Sequence, residues 1–582
     1  MKKKNLQRLF ALALAGAMVA STFTACGSKE TAEEAPAAEE ETKSEEEKPA
    51  DQLQEVEEVE VEEGAGIESW EAFAENVELT IPVYDRGVEG VPAVSDNYWT
   101  KWIQENFGDK YNITVKFEPI TRSDVLTDYA MLAAADDLPT ILMEYDYPKQ
   151  AQWADEGYLA EYDLEEFAKI APTYYQRMVD LNQLQYTQLN GTTYFALAER
   201  PYFNTNYTWM TAYRADWLEQ VGYDSYPTTW AEEKEMLQKI VDAGLSDHPL
   251  GGTMVQGAGV DQNYIYRTYP QDELTWATVG DYAIPALSSD AQKALLKRVN
   301  EQYNLGYIDP EYYVTDAETD KANFVSGKTL KYSGYAAADC DWIKAFYEQN
   351  PDGKLDLIIS EELIEDTEGG TVNTFRPNNP FGMMVSFSSQ ATEDEIKAAM
   401  MYMEWMTQPE NLFTMQWGIE GENFNYNEAG DPVTNGDYSG DKTQGFNNSK
   451  DYWCVTVEAR SLGSIEKDIA AICPTVGVPE DQAANLQDKL IKNYYGQVAI
   501  YDMGKANSDC NFATTIEAVG EYQETLLGKY TEYRDALTMC KPEEFDAKYD
   551  ELSQKYLDDG YQAVIDDRKA AYEAGLSTKL PQ

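Results

Sequence analysis

VELTIPVY (Val77 to Tyr84), NYWTKWIQENF (Asn97 to Phe107), YNITVKFEP (Tyr111 to Pro119) and TILMEY (Thr140 to Tyr145) form one stretch whose reading decides the fold. The first, third and fourth are short apolar runs rich in β-branched and aromatic residues, which predicts strands. The second carries its aromatic residues at helical spacing, and Arg122 to Ala135 reads as another helix. Leu138-Pro139 leads into the third strand. Strand, helix, strand, helix, strand at this spacing predicts βαβ units and a largely parallel sheet, an α/β fold.

Downstream, Asn190-Gly191 is a turn signal before a predicted strand, Gly191 to Ala198. YRADWLEQVG from Tyr213 predicts a helix closed by Gly222, and Thr228 or Thr229 is positioned to cap the next one. Ala398 to Thr407 predicts a helix stopped by Gln408-Pro409, and Ile516 to Ala574 a helical C-terminal region. No repeat of fixed period is present.

Upstream, Met1-Lys2-Lys3-Lys4 is a basic start, and Leu9 to Ala25 is an uncharged apolar or small run. This pattern predicts a signal peptide over residues 1–25, too short to be a comfortable membrane span. Phe23-Thr24-Ala25-Cys26 resembles the lipobox of bacterial lipoproteins, with Phe23 where an aliphatic residue is usual. The resemblance implies lipidation at Cys26. Glu30 to Glu63 then holds 16 acidic residues with little to bury. Residues 26–70 are expected to be a lipid-anchored, disordered acidic linker, and Val56, Val59 and Val61 are too sparse a pattern to change that.

Composition excludes several functions. Asp plus Glu number 104 against 45 Lys plus Arg, a formal charge of −59. Such a field repels phosphate backbones and anionic membrane surfaces, so no nucleic acid is expected and a membrane only through the lipid. The single histidine, His248, excludes three-histidine metal sites; Ser246-Asp247 before it and Pro249 after it predict an exposed turn. Without Cys26, five cysteines remain: Cys340, Cys454, Cys473, Cys510 and Cys540. No CxxC spacing occurs, and these read as mostly buried small side chains with room for one disulfide that the sequence does not assign. Asn423, Asn425 and Asn427 open like an EF-hand, but Glu428 stands where glycine belongs and Thr434 where glutamate belongs, so no metal is expected there. No phosphate-binding GxxxxGK[ST] loop exists, and no cofactor is expected.

LAAADDLPTIL, YRADWLEQVG, PTTW from Pro227, FVSGK from Phe324 and WGIEGENF from Trp417, in this order, carry a resemblance. The chain resembles the family 1 extracellular solute-binding proteins of ABC importers, in their long Gram-positive-type lipoprotein branch. Thr192 departs from the family's usual Gly-Lys-x-Tyr strand start. The resemblance implies a two-lobed periplasmic-binding-protein-like fold of type II with hinge-linked lobes. It also implies a monomer at the outer face of the cytoplasmic membrane that captures a sugar and hands it to permease subunits without chemistry. The lobes are expected at 71–204 with 370–415, and at 205–369 with 416–582.

Open α/β sheets bind ligands beyond the carboxyl ends of their strands. Candidate ligand-binding residues are therefore Asp85 and Arg86 after the first strand and Tyr145 and Asp146 after the third. Tyr207 and Trp209 lie at the lobe crossing, and Tyr335 and Asp339 after an apparent strand. Arg376 lies before the return strand FGMMVSF, and Trp417 and Glu420 in WGIEGE. Asp85-Arg86 and Trp417 rank first. Each charged member has an alternative role as an ion pair or helix cap. Aromatic rings suit the C–H faces of a sugar and polar groups its hydroxyls. Two rivals remain: a peptide or other small-solute receptor on the same fold, and a lipid-anchored glycoside hydrolase with paired carboxylates.

Overall fold

The computed structural model describes residues 56–582 apart from 88–91, 256–272, 336–340, 360–376, 443–451, 453–461, 473–477, 578–582 and scattered positions at 201, 208, 253–254, 281–283, 380, 436–437, 439, 504–505 and 507–508. The expected signal peptide, Cys26, Asp339, Arg376, Cys340, Cys454 and Cys473 lie outside the described residues.

In chain order the strands are β1 (Val77–Asp85), β2 (Ile113–Thr121), β3 (Ile141–Glu144), β4 (Leu159–Ala160), β5 (Gln188–Leu189), β6 (Thr192–Thr193) and β7 (Ala196–Glu199). They continue with β8 (Trp209–Arg214), β9 (Lys331–Tyr335), β10 (Leu355–Ile358), β11 (Phe381–Ser388), β12 (Phe424–Tyr426) and β13 (Pro432–Thr434). β1 and β2 pair in parallel, from Val77 opposite Ile113 to Asp85 opposite Thr121. β3 runs beside β1: Thr80 N donates to Thr140 Oγ1 (3.1 Å), and farther along Tyr84 Oη donates to the Met143 carbonyl. β1 and β2 form a two-stranded parallel ladder of their own, and β3, which belongs to the ladder β3-β11-β4, lies against the other side of β1 without a backbone ladder between them, so β1 stands between the two strands that follow it. β11 closes this layer antiparallel, with β3 on one side and β4 and β7 on the other. All eight residues of β11 are buried, which explains its continuous apolar sequence. The predicted strand Gly191 to Ala198 is instead a short β5–β6 hairpin followed by a separate β7.

A second sheet has the antiparallel order β10-β8-β9. Its apolar face packs with Phe324, Trp342, Ile343, Phe346, Leu486 and Leu490 in one core cluster. A neighbouring cluster joins the helices Trp230–Asp242 and Asp290–Asn304 to the C-terminal helices Glu517–Met539, Phe545–Tyr556 and Gln562–Glu573. Asn300, 2 % exposed, fastens this region: its side-chain amide is shared among the carbonyls of Leu537 (2.8 Å), Thr538 (3.1 Å) and Cys540 (2.8 Å). These carbonyls lie at a helix end, past the reach of its backbone amides; Asn304 Nδ2 also donates to the Cys540 carbonyl (3.0 Å) and Cys540 Sγ to the Leu537 carbonyl (3.2 Å). Asn300→Ala is expected to lower stability by about 1–3 kcal/mol, read as a shift in the denaturant midpoint, because buried acceptors lose a donor. An unmoved midpoint would show that solvent reaches these carbonyls.

The acidic linker ends earlier than the sequence predicts. Val56, Val59 and Val61 pack half-buried on the first core, and Val59 N donates to Tyr175 Oη (2.6 Å). Gly66 (φ 76°) lies so close to Pro172 that a Cβ would stand 2.7 Å from its ring. Trp70 Nε1 donates to the Ile170 carbonyl (3.2 Å), and its ring meets Tyr111 edge-on. Charge patterning overstated the disorder because glutamates between the valines project outward while the valines face the body.

His248 is also corrected: it is half-buried, and its Nδ1 lies 2.7 Å from the Gly306 carbonyl. Cys510 and Cys540 are buried free thiols. Among the described residues, no helix is long and apolar enough to cross a membrane, and no three or more His, Cys, Asp or Glu side chains are grouped to hold a metal.

Candidate functional site

The carboxyl ends of β1, β2 and β3 meet at one edge of the first sheet. β1 delivers Tyr84, Asp85 and Arg86; β2 is followed by Arg122; β3 ends at Glu144, followed by Tyr145 and Asp146. β2 and β3 lie on opposite sides of β1 here, the kind of switch point beyond which open α/β sheets bind ligands.

Tyr84 is fully buried and anchors the group. Its hydroxyl donates to the Met143 carbonyl and reaches Glu144 Oε2 at 3.2 Å. Desolvation first, and the Glu144 carboxylate second, push the phenol well above its ordinary pKa, so it stays protonated and donates. Glu144 is buried, and its Oε1 accepts from Tyr145 N (2.8 Å). The Tyr84 and Tyr145 rings are 6.2 Å apart, and the Arg122 guanidinium lies 5.0 Å from the first centroid and 5.7 Å from the second. Arg86 donates to the Tyr84 carbonyl (3.2 Å) and lies 5.6 Å from the same ring. Asp85 is exposed and its Oδ1 accepts from Gly87 N (2.9 Å).

Asp85, Arg86, Tyr145 and Asp146 are thus brought to one edge. Arg122, Tyr84 and Glu144 join them without having been singled out in the sequence. Arg122 obeys the same strand-end rule, but its position at the start of a helical pattern conceals it.

Trp209 opens β8 and stands opposite Tyr335 at the end of β9. It is 53 % exposed, unusual for so large an apolar ring. Glu420 is exposed in the turn before β12. Two expected residues are placed differently. Tyr207 is buried in the second sheet's core, edge-on to Tyr202 (5.7 Å) and Tyr494 (5.6 Å), and burial followed by the Asp468 charge drives its pKa far upward. Trp417 is 2 % exposed, packed against Phe413 and Phe424. Both rings are therefore buried among other aromatic side chains in this structure and, unlike Trp209, offer almost no surface to a ligand.

The chain passes between the sheets twice among these elements, from β7 to β8 and from β10 to β11. The passages touch: Asn378 N donates to the Phe203 carbonyl (2.9 Å) and Asn378 Nδ2 to the Thr205 carbonyl (2.9 Å). Asn206 N donates to Gln497 Oε1 (2.6 Å), tying the same place to the helix Glu480–Asp502. A separate small hollow, partly open to solvent, lies between the helix Tyr147–Asp155 and residues 510–520. Its buried Arg568 donates to the Ala277 carbonyl (2.8 Å) and stacks on Phe512, a structural arrangement.

The structure is similar to the alginate-binding protein AlgQ2, solved without calcium ion, with TM-score 0.58, 13 % identity, and 87 % of this chain and 99 % of that one covered. It is similar to an HMO-binding solute-binding protein associated with an ABC transporter of Bifidobacterium longum infantis (TM-score 0.56, 14 % identity, 86 % and 99 % covered). It is also similar to the S. pneumoniae ABC-transporter substrate-binding protein FusA in complex with kestose (TM-score 0.54, 13 % identity, 85 % and 99 % covered). At these identities the likeness establishes the shared two-lobed fold. No curated protein matches the chain in sequence. The family described as bacterial extracellular solute-binding protein matches residues 93–412, more than half of the sequence. By this match, and by an architecture that agrees with it, the chain belongs to the bacterial extracellular solute-binding proteins.

Proposed function

We propose that this solute-binding protein captures a carbohydrate, an oligosaccharide, between two lobes and delivers it to the permease of an ABC importer. The observation that carries the reading is the convergence of Asp85, Arg86, Arg122, Tyr145 and Asp146 at the carboxyl ends of three strands, with exposed Trp209 on the second sheet. A sugar needs hydroxyl partners on its rim and an apolar face for its C–H groups, and these residue types supply both. The relatives named for alginate, HMO and kestose support the same ligand class. Capture requires only better affinity for a closed arrangement, so no bond is broken and the protein is not an enzyme.

In this proposal one lobe holds residues 71–204 and 370–415, and the other 205–369 and 416–582. Tyr452, within the range 416–582, packs in the first core cluster. Lipidation of Cys26 holds a monomer at the outer face of the cytoplasmic membrane, and the acidic residues before Val56 form its leash.

A thermal-shift screen of oligosaccharides against peptides tests the reading. Sugar at a hundredfold excess over its Kd adds about 2.7 kcal/mol of stability. A rise in Tm with an oligosaccharide, and that sugar recovered intact, is expected. Shifts with peptides alone would overturn the ligand class, and released monosaccharide would overturn the non-enzymatic role.

A further inference from the structure

Arg122 is the odd residue of the strand-end group. The chain has 104 carboxylate side chains for 45 basic ones, so a guanidinium has abundant acids with which to pair. Other described arginines do so, as Arg214 with Asp216 (2.6 Å) and Arg177 with Glu199 (3.2 Å). Arg122 makes ring contacts only, with Tyr84 and Tyr145; among the described residues no carboxylate pairs with it and none accepts a hydrogen bond from it. The nearby acids are engaged elsewhere. Glu144 accepts from Tyr84 and Tyr145, Asp128 Oδ2 from Thr121 N (2.6 Å), and Asp85 from Gly87 N.

Aromatic rings interact with the face of a guanidinium and leave its N–H donors along the edge. Arg122 is half-buried, so its charge is partly shielded from bulk water while part of the side chain stays exposed at the strand-end edge. Arg86, also over the Tyr84 ring, adds a second positive group at the same edge. A planar fork held by two rings at a ligand-binding switch point matches an oxyanion, which accepts two parallel N–H bonds.

We infer that the crevice takes an anionic saccharide, whose carboxylate or sulfate group is received by Arg122 with Arg86 beside it. This deepens the carbohydrate reading and rests on it. The whole-chain charge opposes the approach of such a ligand, so selectivity resides in the residence time set by Arg122 and not in attraction at a distance.

The test uses the full mature chain in calorimetric and kinetic titrations. The probes are galacturonate oligomers of three to five units, their methyl esters, a sulfated galactan oligomer and a neutral mannan oligomer. The charged probes are expected to bind on the order of 10- to 100-fold more tightly than the neutral ones, the scale of one charge-assisted fork. Arg122→Gln should remove that margin through a faster off-rate, and Arg122→Lys, which keeps charge but loses the fork, should retain part of it. Both variants are compared at matched Tm, so a folding defect is visible separately. Preference for galacturonate over the sulfated probe assigns the oxyanion as carboxylate, and the reverse as sulfate; either supports the inference.

Equal binding of ester and acid, or an unchanged margin in Arg122→Gln, overturns the anionic inference and leaves the carbohydrate reading standing. If no saccharide binds but glutamyl peptides do, and they need Arg122, the carbohydrate reading falls. Binding of none of these probes overturns both.

Discussion

Replacing Glu233 with alanine is expected to lower the stability of the second-sheet region by about 3–5 kcal/mol, the range for stripping one partner from a buried ion pair. Glu233 is 1 % exposed and lies on the helix Trp230–Asp242. Its Oε1 accepts from Tyr226 Oη (2.6 Å) and from Lys331 Nζ (3.2 Å), and that ammonium also lies 5.2 Å from the Tyr226 ring. Lys331 is itself 13 % exposed and begins β9. Without the carboxylate, an ammonium and a phenol are left with poor access to water. At about 2–4 °C per kcal/mol for a region of this size, the Tm of the corresponding transition should fall by about 6–20 °C. Glu233→Gln keeps an acceptor for Tyr226 and should lose less. A Tm unchanged in Glu233→Ala would mean that Lys331 swings out to solvent at no cost.

The second large effect concerns the N-terminal segment. A chain starting at residue 56 should be as stable as the longer one, whereas a chain starting at residue 65 should lose about 2–4 kcal/mol. The estimate combines three half-buried valines with one backbone hydrogen bond. The lost contacts are those of Val56, Val59 and Val61 with the first core, and the Val59 bond to Tyr175. Tyr175→Phe in the full chain isolates the hydrogen bond. Differential scanning calorimetry of the two truncations decides the matter: identical Tm values would show that the segment rests on the body without stabilising it.

These effects mark what the sequence conceals and what it reveals. The strands β1, β2, β3 and β11 were legible because each is a short apolar run bounded by polar or turn residues, and a buried strand has little freedom to look otherwise. The C-terminal helices were legible from amphipathic spacing, with Tyr530, Tyr533 and Leu537 all buried as that spacing requires. The valines before Gly66 were obscured by flanking glutamates, because average charge reports composition and not which side chains face inward.

The strand-end rule places Asp85, Arg86, Tyr145 and Asp146 at one edge because it depends only on where strands stop. It cannot tell an aromatic ring offered to a ligand from one packed against its neighbours. Trp417 and Tyr207 are covered while Trp209 is exposed, and that difference comes from tertiary partners far along the chain, such as Tyr494 beside Tyr207. Arg122 illustrates the converse. Its stack on Tyr84 and Tyr145 joins residues from three strand ends, a relation that no local spacing encodes.

The two passages between the sheets bear on how any closure must move. Asn378 bonds to Phe203 and Thr205 with main chain and side chain together, so the passages are riveted at two points about two residues apart. Such a rivet resists sliding one passage along the other but leaves rotation about their common line comparatively free. The rivet is not the sole tether: Asn190 N donates to the Ala513 carbonyl (2.9 Å) and Thr515 Oγ1 to the Ala151 carbonyl (3.4 Å). Any turning at 203–206 would therefore have to carry or break this second seam as well.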